Sequence, residues 1–274
     1  MEVSISTTVD WPAARQAVAV AGPRVAALLR SARRPDAPAL GDWDLTHLAV
    51  HLSHAVDVVS AMAKGGGGLL DDIWGLSALT QVMVEGEGRR DLNELADRID
   101  ASVAAFLAAM AAAPDDARHG WMVRGTEASL SMLTCHVLNE LTVHGRDIAL
   151  AEGVPWPIER SHAVLILQGF LFPALHSLGP SMVDQDAAGT VRARLEVRLR
   201  GGGRTWLRFY DGDFSVEYSP AGPVDCHLSV DPEAFMLVAW GRISQWPPIV
   251  KGQLLAWGRK PWLGPQLRSW LRNP

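Results

Sequence analysis

Near residue 155 the apolar pattern of this 274-residue chain changes period, and that change constrains its fold more than any other feature. Before it, apolar side chains recur every three or four residues over long stretches, the spacing of helices that bury one stripe. After it, TVRARLEVRLR at 190–200 and RTWLRFY at 204–210 alternate residue by residue, the spacing of strands with one buried face. Helices first and strands later imply an α+β chain rather than alternating βα units. We therefore expect two domains: a four-helix bundle over 1–155, then a smaller antiparallel-sheet-plus-helices domain over 156–274.

Local signals divide the first half into helices. Asp10 caps the first, with Pro12 in its opening turn and Val18, Val25, Leu28 and Leu29 on its apolar face up to about Arg33. A second runs from Asp44 to about Lys64 with Leu45, Leu48, Leu52, Val56 and Val59 on one stripe, and the glycines 65–68 then force a turn. A short helix is predicted at 73–84, a longer one over 91–112, and a last one over 126–152 stopped by Gly153 and Pro155. The second half reads as a helix over 157–178 and strands at 190–200, 204–210, 213–219 and 225–230. Asp211-Gly212 supplies a hairpin turn, and helical segments follow at 231–241 and 252–272.

Composition excludes several classes. The formal net charge is −5, against the basic balance of a protein whose main partner is nucleic acid. Two cysteines, Cys135 and Cys226, are too few for a disulfide scaffold or a Cys-rich zinc finger. The first ten residues carry Glu2 and Asp10 and no basic or apolar region of a secretory signal. The apolar run from Ala163 to Leu175 is broken by Gln168, Gly169 and Pro173, short of the roughly 20 residues a membrane span needs. The expectation is a cytoplasmic protein with neither nucleic acid nor membrane as partner. Charge is unevenly spread: residues 1–155 hold 12 Lys/Arg and 20 Asp/Glu, residues 156–274 hold 13 and 10. From Ala234 onward there are six basic residues and no acid, either a solvated basic face or a site for a substrate carboxylate.

Five of the 9 histidines fall on two of the expected helices: His47, His51 and His54 on the second, His136 and His144 on the last. Glu140 lies four residues from each of the latter two, so the three share a helical face. Eight residues span about 12 Å along a helix axis, so His136 and His144 cannot bind one ion together. The possible chelates are His136 with Glu140, or Glu140 with His144, each completed by one of His47, His51 and His54. Two nitrogens and one carboxylate oxygen with a fourth position open is the ligand set of a catalytic zinc. Cys135 adjoins His136, but neighbours on a helix point about 100° apart, so this cysteine is expected to be structural.

The segment WDLTHLAVHL at 43–52 resembles a motif of the mycothiol-dependent maleylpyruvate isomerase family, whose bundle is DinB-like. Asn139-Glu140-Leu-Thr-Val-His144-Gly-Arg-Asp147-Ile-Ala resembles its second motif, Glu-Leu-x-x-His-Gly-Trp-Asp-Leu-Ala, with Arg146 in place of the tryptophan. The resemblance implies His51, Glu140 and His144 as metal ligands and leaves His47, His54 and His136 without a metal role. Asp147, one turn beyond His144, is a candidate for orienting it. The region from Val224 to Leu271 resembles the family's sterol-carrier-like C-terminal domain, in which an arginine binds the substrate anion; Arg242 and Arg259 are the candidates.

This resemblance implies a zinc-dependent enzyme using a low-molecular-weight, mycothiol-like thiol for isomerisation or S-transfer on a small anionic substrate. Metal coordination deprotonates a thiol whose free pKa is about 8.5. Two alternatives differ in class: a hydrolase in which bound water attacks, and a non-enzymatic carrier of an apolar ligand. For the carrier, Trp206, Trp240, Trp246, Trp257, Trp262 and Trp270 are either pocket lining or core.

Overall fold

Side-chain caps set where the helices of the first half begin. Helix α1 (Trp11–Ser31) starts at Asp10, whose carboxylate accepts the Ala13 N–H at 2.9 Å. A small hairpin of β1 (Pro38–Leu40) and β2 (Trp43–Asp44) leads into α2 (Leu45–Met62), where Asp44 accepts from the His47 N–H. A single 3₁₀ turn, Ile73–Gly75, precedes α3 (Leu76–Gly86), and α4 (Leu92–Ala109) is capped by Asp91. Strands β3 (Arg118–Gly120) and β4 (Glu127–Ser129) pair before α5 (Leu130–Glu152). Each cap satisfies a backbone donor that the helix itself cannot.

The computed structural model describes residues 9–111, 113–114, 117–219 and 221–273, which fall into two compact units, 10–158 and 159–273 together with Val9. Residues 1–8, which bear on the expected absence of a targeting signal, and Ala112, the expected end of the fourth helix, lie outside the described residues. In the first unit α1 and α2 each pack on both α4 and α5, closing a four-helix bundle. The stripe Leu45, Leu48, Leu52, Val56 and Val59 is at most 1% exposed, and Val18, Val25 and Leu29 of α1 and Leu133, Leu138 and Leu141 of α5 are as deeply buried in the core. Burying each such side chain contributes about 1.5–3 kcal/mol.

The last bundle helix begins at Leu130 rather than 126. Residues 127–129 instead pair with 118–120, and the Ser129 hydroxyl accepts the Met132 N–H, so the cap lies where the strand ends. At the other end Gly153 adopts φ +73 and its N–H returns to the helix carbonyls, a left-handed cap that suits glycine.

In the second unit the predicted helix 157–178 is α6 (Arg160–Ile166), a π turn (Leu167–Leu171) and α7 (Phe172–Leu178) in series. The Phe172 N–H reaches back five residues to Leu167 O, and Pro173 has no N–H to restore the α pattern. With the 3₁₀ turn Gly179–Met182, the segment Arg160–Met182 is long and apolar enough to cross a membrane by length and composition, which the broken apolar run had not suggested. Half of its apolar window is buried in the unit, where α6 packs on α9 (Pro232–Ala239) and α7 on β7 (Asp213–Glu217).

After α8 (Gln185–Ala188) the strands β5 (Arg192–Leu199), β6 (Arg204–Tyr210) and β7 form an antiparallel meander. Between β6 and β7 the turn residues Asp211 and Gly212 both have positive φ, +50 and +82. Strand β8 (Cys226–Val230) then crosses back to lie beside β5, parallel to it, a departure from a purely antiparallel sheet. Helix α10 (Trp246–Val250), strand β9 (Leu254–Trp257) and helix α11 (Leu263–Trp270) complete the unit, with sheet order β7-β6-β5-β8-β9.

The single helix expected over 252–272 is thus a strand and a shorter helix. Leu254 to Trp257 pair along the free edge of β8, and Gly258 at φ +111 with Pro261 separates them from α11. The tryptophans do not act alike: Trp206 and Trp270 are buried, whereas Trp246 and Trp262 are 60% and 58% exposed.

Candidate metal centre

His51 is on the second turn of α2, and Glu140 and His144 stand four residues apart on α5, so two packed bundle helices bring the three together. His51 Nε2 is 3.5 Å from Glu140 Oε2, His144 Nε2 is 3.4 Å from the same oxygen, and the two Nε2 atoms are 3.3 Å apart. Their ligating atoms all lie within 4.8 Å of one another, the only such group of three among the described residues. The side chains are 17%, 14% and 12% exposed respectively.

Of the other histidines, His47 pairs with the capping residue Asp44 at 2.7 Å, and His54 faces Glu87 at 3.4 Å. His136 reaches Glu140 on its other oxygen, Oε1, at 3.6 Å, and stands outside the three-residue group.

Burial and pairing set the charges of this cluster. Burial alone would raise the Glu140 carboxyl, but the imidazoles of His144 and His51 hold it well below the usual carboxylate range. Burial opposes charge on His144 as well, yet hydrogen bonds to Asp147 and Glu140 outweigh it and lift the imidazole to about 9. Burial dominates at His51 and His136 and lowers both, leaving them neutral near pH 7. His144 is therefore the charged imidazole of the candidate ligands and His51 the neutral one.

The surroundings fix these groups in place. Asp147, 4% exposed, meets His144 Nδ1 at 3.2 Å, so the ring presents Nε2 to the cluster. The Trp43 ring lies 5.3 Å from that of His51, and its indole N–H donates to Gln81 of α3 at 2.9 Å. Gly145, directly after His144, lies against the Trp156 indole, which leaves no room there for a side chain. Arg146, where the resembled motif has tryptophan, is half-buried on α5. Cys135 is buried, which pushes its thiol up to about 12, as expected of a structural cysteine.

The two candidate arginines lie in the other unit. Arg242 donates to the Trp240 carbonyl at 3.0 Å, and Arg259 forms an ion pair with Asp225, which Lys260 approaches at 3.2 Å. Sequence reasoning passed over a further cluster on the sheet: Glu196, 3% exposed, bonds His227 and Arg198, and both of their side chains lie against Trp257. Parallel pairing of β5 with β8 puts Glu196 beside His227, a register that no local pattern encodes.

Residues 14–149 match the family model described as the mycothiol maleylpyruvate isomerase N-terminal domain. Among solved structures, the crystal structure of the mycothiol-dependent maleylpyruvate isomerase superposes on 90% of this chain and 92% of its own, with a TM-score of 0.53 and 13% identity. A second, a UbiJ-SCP2 ubiquinone synthesis protein, aligns with 36% of this chain and 90% of its own at a TM-score of 0.31 and 17% identity. No curated protein matches the chain. The structural likeness establishes a shared fold; the family match falls on the bundle that carries His51, Glu140 and His144, and through that domain the chain belongs to the mycothiol-dependent maleylpyruvate isomerase family.

Proposed function

We propose that the chain is a zinc- and thiol-dependent enzyme of the maleylpyruvate isomerase type, acting in the cytoplasm on a small anionic substrate. The observation that carries this reading is the convergence of two imidazole nitrogens and one carboxylate oxygen from α2 and α5. That donor set fits a divalent ion: the ligands are N, O and N, all three side chains are largely buried, and an ionised Glu140 offsets the ion's charge. A zinc ion held there supplies Lewis acidity, which deprotonates a thiol or water at neutral pH.

The chain's own groups do the rest. His51 and His144 present Nε2, Asp147 fixes the His144 ring through Nδ1, and Trp43 walls the His51 side. Arg242 and Arg259 are proposed to hold the substrate carboxylate through forked hydrogen bonds. The reacting thiol comes from outside the chain, because Cys135 and Cys226 are both buried with raised pKa. The cytoplasm, where small thiols are kept reduced, is the compartment that suits such a cosubstrate.

Zinc-loaded protein assayed for cis–trans isomerisation of maleylpyruvate tests the reading. Turnover that requires added mycothiol is expected. Hydrolytic turnover indifferent to thiol would replace the isomerase reading with the bound-water alternative.

A further inference from the structure

Glu140 has its two oxygens in different company. Oε2 faces His51 and His144 at 3.5 and 3.4 Å. Oε1 points the other way, to Asn139 Nδ2 at 3.3 Å and His136 Nε2 at 3.6 Å. His136 and Asn139 are 8% and 3% exposed, so neither interaction is diluted by bulk water. Polar groups this deeply buried are costly unless they serve a partner, and Oε1 is an acceptor close to both.

We infer that His136 and Asn139 are positioning residues: they hold Oε1 of Glu140 and so turn Oε2 alone toward His51 and His144. This rests on the proposed metal reading but assigns a role to residues outside the ligand set. The helix explains why His136 can do this and cannot itself ligate. Sitting four residues before Glu140, it approaches the carboxylate from the side opposite His144, which sits four residues after. His136 Nε2, 3.6 Å from Oε1, and the Asn139 amide N–H, which donates to it at 3.3 Å, flank the same oxygen. Without them the carboxylate is free to rotate and to present either oxygen, or both.

The test compares zinc affinity, by competition with a chromophoric chelator, and the visible spectrum of the cobalt-substituted protein, across three variants. His136→Leu removes the donor. His136→Gln keeps an amide N–H near the position of Nε2, and His136→Asn keeps one that is too short to reach Oε1. The expected result is a roughly 10–100-fold loss of affinity with an altered cobalt spectrum in the Leu and Asn variants, and near-complete recovery in the Gln variant. Urea midpoints of the ion-free proteins separate this from a folding defect, and the Asn variant keeps the test open if the Leu variant does not fold. Wild-type affinity and spectrum in either donor-deleted variant overturns the assignment, as does an equal loss in the Gln variant. Wild-type protein that takes no zinc at all overturns the metal reading itself, which is a different outcome.

Discussion

Gly145→Ala isolates how the bundle accommodates the helix turn that follows His144. A glycine inside an open helix is worse than alanine by about 1 kcal/mol, so on propensity alone the substitution would stabilise the protein by that amount. The structure reverses the sign. A Cβ on Gly145 would lie 2.4 Å from Cζ2, 2.9 Å from Cε2 and 3.1 Å from Cη2 of Trp156, against a comfortable carbon separation of about 3.5–4.0 Å. The indole cannot give way cheaply, because its N–H donates to the Thr142 carbonyl at 3.2 Å and the Arg24 guanidinium lies 3.7 Å from the ring centroid. Overpacking of this kind costs about 1–3 kcal/mol beyond the propensity gain.

Urea unfolding should therefore show Gly145→Ala less stable than wild type by about 1–3 kcal/mol. In a Trp156→Ala background the clash is gone, and the same substitution should stabilise by about 1 kcal/mol. The resulting coupling of about 2–4 kcal/mol between the two positions is well outside the range of independent sites. Stabilisation by Gly145→Ala in the wild-type background would refute the reasoning.

Two further predictions follow from the titrating groups. With His144 held up at about 9, an ion entering at pH 7 must displace its proton, so zinc affinity should rise about tenfold per pH unit up to about pH 9 and flatten above it. Affinity independent of pH between 7 and 8 would contradict this. For ion-free protein the same raised pKa stabilises the fold below the ordinary histidine pKa of about 6.5, and that contribution should fade as pH climbs through 9, as read by urea midpoints. Cys135 and Cys226, both buried, should react with a thiol reagent only after unfolding; rapid labelling of the native protein would show that one of them is accessible.

The bundle was legible in the sequence because its signals are local. Asp10, Asp44 and Asp91 mark helix starts by composition alone, and the Leu45–Val59 stripe states which face of α2 is buried. A spacing of four puts Glu140 within reach of either His136 or His144, and spacing could choose neither between them nor among His47, His51 and His54. That choice depends on how α2 rotates against α5, which is a matter of tertiary packing. The same limit explains the two misread helix boundaries. Residues 127–129 and 254–257 became strands because a partner edge was available to them, the short strand 118–120 in one case and β8 in the other, and the helical periodicity of a segment does not report such a partner. Spacing left a His136–Glu140 chelate open and only the family resemblance set His136 aside; the orientation of the Glu140 carboxylate shows what it faces.

Metal content of the purified, zinc-loaded protein, measured beside His51→Ala and Glu140→Ala, bears most directly on the centre between α2 and α5. The expected result is about one tightly held ion per chain in the wild type and strong loss of binding in both variants, whose folded state is checked by circular dichroism. A wild type that takes up no divalent ion under any loading condition, or two variants that retain the wild-type content and affinity, would contradict the assignment of His51, Glu140 and His144 as its ligands.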